Sequence, residues 1–186
     1  LLTGVESPVR AQSDSEAHQI AAAVKAAPQE LREEARVLGY GSDGRLETLR
    51  EGSNHLICLA DDPSDDRLHV ACYHESLEPF MARGRQLRQQ GRSRTAVDSI
   101  RQAEIRSDEL TIPDHPAALY SVTVSKERLV ASSSPLDALG EASRLHVVYV
   151  PYATGESTGL PTRPEGNRPW LMDSGTPWAH IMISTD

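Results

Sequence analysis

Two cysteines, Cys58 and Cys72, lie in short apolar runs on either side of a polar loop, and they constrain this chain more than any other feature. Residues 55–60 (HLICLA) and 68–73 (LHVACY) are rich in strand formers, and the intervening DDPSDDR is dense in turn residues. Pro63 suits the loop, because proline cannot donate to a β-ladder. With the turn centred near Asp65, Cys58 falls opposite Cys72. Facing positions on neighbouring strands bring Cβ atoms within disulfide reach. Such a bridge closes a loop of about 15 residues and is worth about 3 kcal/mol in chain entropy. The alternative is two free buried thiols, which pack as small hydrophobes.

The same register sorts the neighbouring side chains, since successive residues of a strand point to opposite faces. Leu56, Cys58, Ala60, Val70, Cys72 and His74 share one face. His55, Ile57, Leu59, His69, Ala71 and Tyr73 share the other. His55 and His74 then point apart, which disfavours a metal site using both. His69 falls opposite Asp61 and reads as a partner in an ion pair at the rim.

The expected compartment is read from the N-terminal residues rather than from the hairpin. Val9-Arg10-Ala11 has the small-residue pattern of a secretory cleavage site, so residues 1–15 read as a signal-peptide remnant and flexible terminus. Export agrees with a disulfide, and the expected location is secreted or periplasmic. Residues 16–186 then form a single domain with enough chain to bury a core. No run reaches the ~18–20 apolar residues of a membrane-spanning helix. The net charge of -8 argues against a nucleic-acid partner, which needs a basic surface.

Along the chain, Ser13 or Ser15 caps a predicted helix over 16–27, and Pro28 opens a second short one. Residues 36–40 and 45–50 read as strands joined by Gly41-Ser42-Asp43-Gly44, and with the central pair they predict a four-stranded antiparallel meander. The strongest helix is 77–90, with Leu77, Phe80, Met81 and Leu87 as its apolar stripe. Arg85, Arg88 and Arg92 form a basic stripe that reads first as a complement to the helix dipole and second as an anion site. A further helix is predicted over 95–106, with Val97, Ile100 and Ile105 apolar. Strands are predicted at 118–124, 145–150 and 178–183, with a long Gly/Pro/Ser/Thr-rich loop over 153–176. The fold class is α+β with a largely antiparallel sheet.

Three constellations could carry chemistry. Gly155-Glu156-Ser157-Thr158-Gly159 matches the G-x-S-x-G pattern of serine hydrolases, with Asp173 and His180 downstream, but the prolines after it forbid the long helix a nucleophile elbow requires. Ser157 is therefore not expected to be a nucleophile. Asp61, Asp62, Asp65 and Asp66 could offer oxygen ligands to calcium, but they lack the EF-hand pattern. His74, Glu78 and His180 are the candidate catalytic residues: an imidazole can act as general base with a carboxylate orienting it. No cofactor is named by any motif.

The segments LREGSNHLICLADDP, YHESLEPFMARGR and GTPWAHIMI resemble those of exported bacterial proteins for which no activity is established. That resemblance implies export and a single domain, and no functional residue follows from it. The function expected from the sequence is a non-enzymatic binding module, or an accessory subunit with protein partners in the cell envelope. The alternative is a small hydrolase or metal-dependent enzyme built on His74, Glu78 and His180. A binding module would show an exposed aromatic patch, to which Trp170 and Trp178 could contribute.

Overall fold

A computed structural model describes residues 8–64 and 67–185, with the backbone alone for residues 8–14. The elements in chain order are α1 (Pro8–Ala23), β1 (Arg36–Tyr40), β2 (Leu46–Arg50), β3 (Leu56–Leu59), β4 (Leu68–His74), α2 (Glu78–Gln89), α3 (Arg94–Arg106), β5 (Ala117–Val124), α4 (Lys126–Ala131), α5 (Pro135–Glu141), β6 (Arg144–Tyr149), α6 (Gly155–Thr158), β7 (Trp170–Met172) and β8 (His180–Thr185). The strands are hydrogen-bonded in the order β2-β1-β3-β4-β5-β6-β8-β7, mostly antiparallel, so the expected α+β class holds. The chain divides into two compact units: Leu1–Cys72 with Tyr120–Arg144, and Tyr73–Leu119 with Leu145–Asp186.

In the first unit β1 and β2 form the expected antiparallel hairpin, with Gly44 at φ 74° in its turn. The predicted meander then fails. Strand β3 pairs with β1 in parallel, Val37 beside Cys58. The cause lies in the link between β2 and β3. The N–H groups of Ser53 and Asn54 both donate to the Glu34 carbonyl, at 2.8 and 3.2 Å, so the link turns back across the start of β1. A Cβ at Gly52 would stand 2.3 Å from the Arg36 nitrogen, so only glycine allows that approach. The chain thus reaches the free edge of β1 already running in its direction.

The disulfide joins Cys58 to Cys72, as the register predicts, across neighbouring strands β3 and β4. Its face is the core of this unit: Leu56, Cys58, Ala60, Leu68, Val70 and Cys72 cluster with Val37, Val122, Val124 and Leu139. Ile57 and Ala71 on the opposite face are also buried, so the hairpin is covered on both sides. His69 and Asp61 meet at the rim through the His69 backbone. Asp61 Oδ1 accepts the His69 backbone N–H at 2.7 Å, and the His69 ring meets the Ser121 hydroxyl at 3.0 Å. Helix α1 begins at Pro8, eight residues before the predicted start, and ends in a 3-10 turn at Val24–Ala26. Residues 1–7 of the expected signal remnant lie outside the described residues. Helices α4 and α5 went unpredicted, although Ser125 and Ser134 cap them and Pro135 opens the second.

In the second unit, α2 starts after a 3-10 turn, Glu75–Leu77, and ends at Gln89, two residues before Gly91, whose φ is 75°. Ser93 caps α3, its hydroxyl accepting the Ala96 N–H at 3.3 Å. The two helices are clasped by Arg83, whose Nε donates to both Glu104 carboxylate oxygens at 2.9 and 3.0 Å. Here β7 pairs antiparallel with β8, Leu171 beside Ile181. Strand β7 and the single turn α6 both lie in the segment expected to be a structureless loop.

Candidate functional site

Helix α3 carries the decisive anomaly. Its inner face runs Val97, Arg101, Ile105, all buried at i, i+4, i+8. An arginine therefore occupies the middle of an apolar stripe, and it is only 9% exposed. Burying a guanidinium is costly unless its charge and its N–H groups find partners. Arg101 finds some of them. Its Nη2 donates to Asp98 Oδ1 at 2.8 Å, and its Nη1 makes a long 3.4 Å bond to the Phe80 carbonyl. Its plane lies over the Phe80 ring, 3.8 Å from the centroid, with the Trp178 ring at 5.8 Å. The buried Nε has no partner.

Helix α2 makes room for this arrangement. A Cβ at Gly84 would stand 2.9 Å from Arg101 Nη1 and 3.5 Å from Arg88 Nη1, so glycine is what lets two guanidinium groups share that space. The result is a pocket of about 450 Å³, within the range of small-molecule sites. Arg88, Arg92, Arg94 and Asp173 are its exposed rim. Phe80, Arg101, Tyr149, Trp178 and His180 are its buried floor, with Met81 and Met172 half-buried beside them. Four arginines face two carboxylates, Asp98 and Asp173, so the pocket is positive in a chain whose net charge is -8. Among the described residues no carboxylate pairs with Arg92 or Arg94.

The floor is ordered by stacking. Phe80 and Trp178 stack at 5.8 Å between centroids, and Tyr149 stacks on His180 at 5.0 Å. His180 Nδ1 lies 2.8 Å from the Trp178 carbonyl. A carbonyl oxygen only accepts, so Nδ1 carries a proton, and in the Nδ1–H tautomer Nε2 is the lone-pair nitrogen. Burial pushes the Tyr149 phenol up to about 12 against the opposing pull of Arg101, with the Asp173 carboxylate adding to the rise. Its hydroxyl therefore stays protonated at neutral pH and can donate. Asp173 sits at φ 53°, where its carbonyl accepts the Thr176 N–H and hydroxyl at 3.1 and 2.7 Å. That turn holds the carboxylate at the rim.

The three catalytic candidates are divided among different surroundings. His180 lies in the pocket floor. Glu78 accepts from the Tyr73 hydroxyl through Oε2 and from Arg85 Nη2 through Oε1 at 2.7 Å, while Arg85 Nη1 reaches the Tyr73 oxygen at 2.9 Å. His74 Nδ1 accepts the Ser76 N–H at 3.2 Å and meets its hydroxyl at 2.8 Å, which makes His74 the cap of the turn before α2. Its ring stands edge-on to His115 at 6.3 Å. No hydrogen bond, ion pair or ring contact of Glu78 or His180 reaches His74, and none joins those two to each other.

The other constellations separate as well. The predicted basic stripe splits: Arg85 turns to Glu78, whereas Arg88 and Arg92 reach the pocket rim. Ser157 Oγ donates to the Thr154 carbonyl at 3.1 Å and accepts the Thr154 N–H at 2.9 Å, a capping box and not a nucleophile's setting. Asp62 Oδ1 is taken by Ser64, and Asp65 and Asp66 lie outside the described residues. Among the described residues no cluster of His, Cys, Asp and Glu is arranged to hold a metal, and no helix is long and apolar enough to cross a membrane. Trp178 is buried in the floor and Trp170 is half-buried, so Trp178 adds nothing to an exposed patch. No protein-family model matches the chain, and no curated protein or solved structure matches it either.

Proposed function

We propose that this chain is a binding module of an oxidising compartment, exported from the cell, and that its ligand is a small organic anion seated in the arginine-lined pocket. The observation that carries the reading is Arg101, a nine-tenths-buried cation with one unpartnered N–H. An incoming anion offsets its charge where the protein leaves it incompletely matched. The exposed guanidinium groups of Arg88, Arg92 and Arg94 supply attraction at the rim, and Arg is suited to carboxylates and phosphates because its planar fork can bind them bidentately. The aromatic floor suits a flat apolar body. The Cys58–Cys72 bridge supports the compartment. An enzyme built on His74, Glu78 and His180 has less support, because two of those three are engaged in separate structural contacts.

Titration calorimetry with benzoate and with phenyl phosphate tests the reading. Saturable binding that weakens with salt is expected, and Arg92→Ser with Arg94→Ser should lower affinity about tenfold while leaving the melting temperature unchanged. Both arginines are exposed, so the double variant should fold normally. Absence of saturable binding for both anions, or equal binding by the double variant, refutes the pocket.

A further inference from the structure

The anion reading concerns one pole of the pocket, and the inference here rests on it and concerns the other. Two floor residues, Tyr149 at 8% and His180 at 9% exposed, each carry a polar group with no hydrogen-bond partner among the described residues. The Tyr149 hydroxyl makes none, and His180 uses only Nδ1. The two rings are stacked at 5.0 Å, so these groups belong to one patch of the floor. The patch adjoins the Phe80 and Trp178 rings and lies in the same pocket as the four arginines.

A ligand that covers this patch with apolar atoms strips water from both groups and returns nothing, which penalises binding. The matching group has a defined chemistry. With Nδ1–H committed to the Trp178 carbonyl, Nε2 is the ring nitrogen left for a ligand, and in that tautomer it accepts an N–H or O–H. The Tyr149 hydroxyl, held protonated, donates and so requires an acceptor. A carboxylate cannot donate to Nε2, and an ammonium cannot accept from Tyr149. A hydroxyl does both through one oxygen.

We propose that the pocket selects hydroxylated aromatic acids, with the acid group among the arginines, the ring against the aromatic floor, and the hydroxyl between Tyr149 Oη and His180 Nε2. Tyr149 and His180 are then the specificity-determining residues. The cavity of about 450 Å³ admits one such single-ring molecule.

The test compares benzoate with 3- and 4-hydroxybenzoate by calorimetry, on the wild-type chain and on Tyr149→Phe and His180→Asn. The better hydroxy isomer should bind about tenfold or more tightly than benzoate. Tyr149→Phe should erase most of that preference while leaving the melting temperature unchanged, because the lost hydroxyl has no partner within the protein, and benzoate, which then strips water from no hydroxyl, should bind at least as tightly as to the wild type. Asparagine at 180 can keep the bond to the Trp178 carbonyl while deleting Nε2, so it should reduce the preference in the same way. If His180→Asn does not fold, Tyr149→Phe alone decides. Benzoate and both hydroxybenzoates binding equally to the wild type, or a preference that survives Tyr149→Phe, overturns this inference and leaves the anion pocket standing. No binding of any of the three acids, together with no effect of the Arg92/Arg94 double variant on phenyl phosphate, overturns both.

Discussion

Replacing both half-cystines with alanine should destabilise the first unit by about 3 kcal/mol, or somewhat more. The bridge spans 14 residues in sequence, which sets the loop whose closure it imposes on the unfolded chain. In the chain-entropy account a loop of that size is worth about 3 kcal/mol. Both sulfurs are fully buried within the cluster of Val37, Val70, Val122 and Val124, so their removal adds a small packing loss. Against a typical domain stability of about 5–15 kcal/mol this is a large fraction. With a slope of about 1–3 kcal/mol per molar urea, the midpoint should fall by about 1–3 M. The assay should be far-UV circular dichroism of non-reduced protein in urea, because Trp170 and Trp178 both lie in the second unit and their fluorescence reports on that unit. Should the two units unfold separately, only one component of the dichroism curve should move. A shift below about 1 kcal/mol, or two alkylatable thiols in protein purified from an oxidising compartment, would refute the reasoning.

Further outcomes are expected from the second unit. Gly84→Ala should raise intrinsic helix propensity by about 1 kcal/mol, yet weaken benzoate binding severalfold, because the new methyl stands 2.9 Å from Arg101 Nη1 and must displace it; unchanged calorimetric affinity would count against Arg101 as the central cation. Glu78→Gln should cost about 1–3 kcal/mol in urea by breaking the half-buried Glu78–Arg85 pair beside Tyr73, with anion affinity unchanged; the reverse pattern would restore Glu78 to a functional role. Above pH 10 stability should fall. The folded Tyr149 phenol is raised to about 12 from an ordinary 10, so the unfolded chain releases its proton first. The contribution of Tyr149 is complete below pH 10 and lost between 10 and 12, on the order of 3 kcal/mol. Tyr73 is shifted upward too, also first by burial, and adds in the same direction. Denaturation curves at pH 9 and 11 should therefore diverge less in Tyr149→Phe than in the wild type.

Much of the fold was legible because local signals and tertiary packing agree. Alternation in 55–60 and 68–73 set the disulfide register, and Gly44 and Gly91 mark a turn and a helix end where φ is positive. The parallel pairing of β3 on β1 was not legible. Direction there depends on where a five-residue link runs, and that is decided by the fit of Gly52 against the backbone of residues 34–36. Nothing in the strand sequences encodes it. The short helices α4 and α5 had legible serine caps, but they lack the long apolar periodicity that identifies a helix without ambiguity.

The site was less legible for a reason peculiar to arginine. On α2 the spacing of Arg85, Arg88 and Arg92 suggested one stripe, yet a helix carries such residues around a broad arc, and the partner of each is chosen by what packs nearby. Glu78, seven residues before Arg85, takes it out of the set. Arg94 stands two residues past Arg92 and joins the same run, but Arg101 lies seven residues further on inside α3, so a scan for clustered charge along the chain does not single it out. One signal was available. With Val97 and Ile105 read as the inner face of α3, the residue midway between them must also point inward, and it is Arg101. A charge at the centre of an apolar stripe is either satisfied by its neighbours or waits for something from outside. With Asp98 and the Phe80 ring supplying only part of what that guanidinium needs, the burial of Arg101 is better explained by a ligand than by the stability of the helix pair.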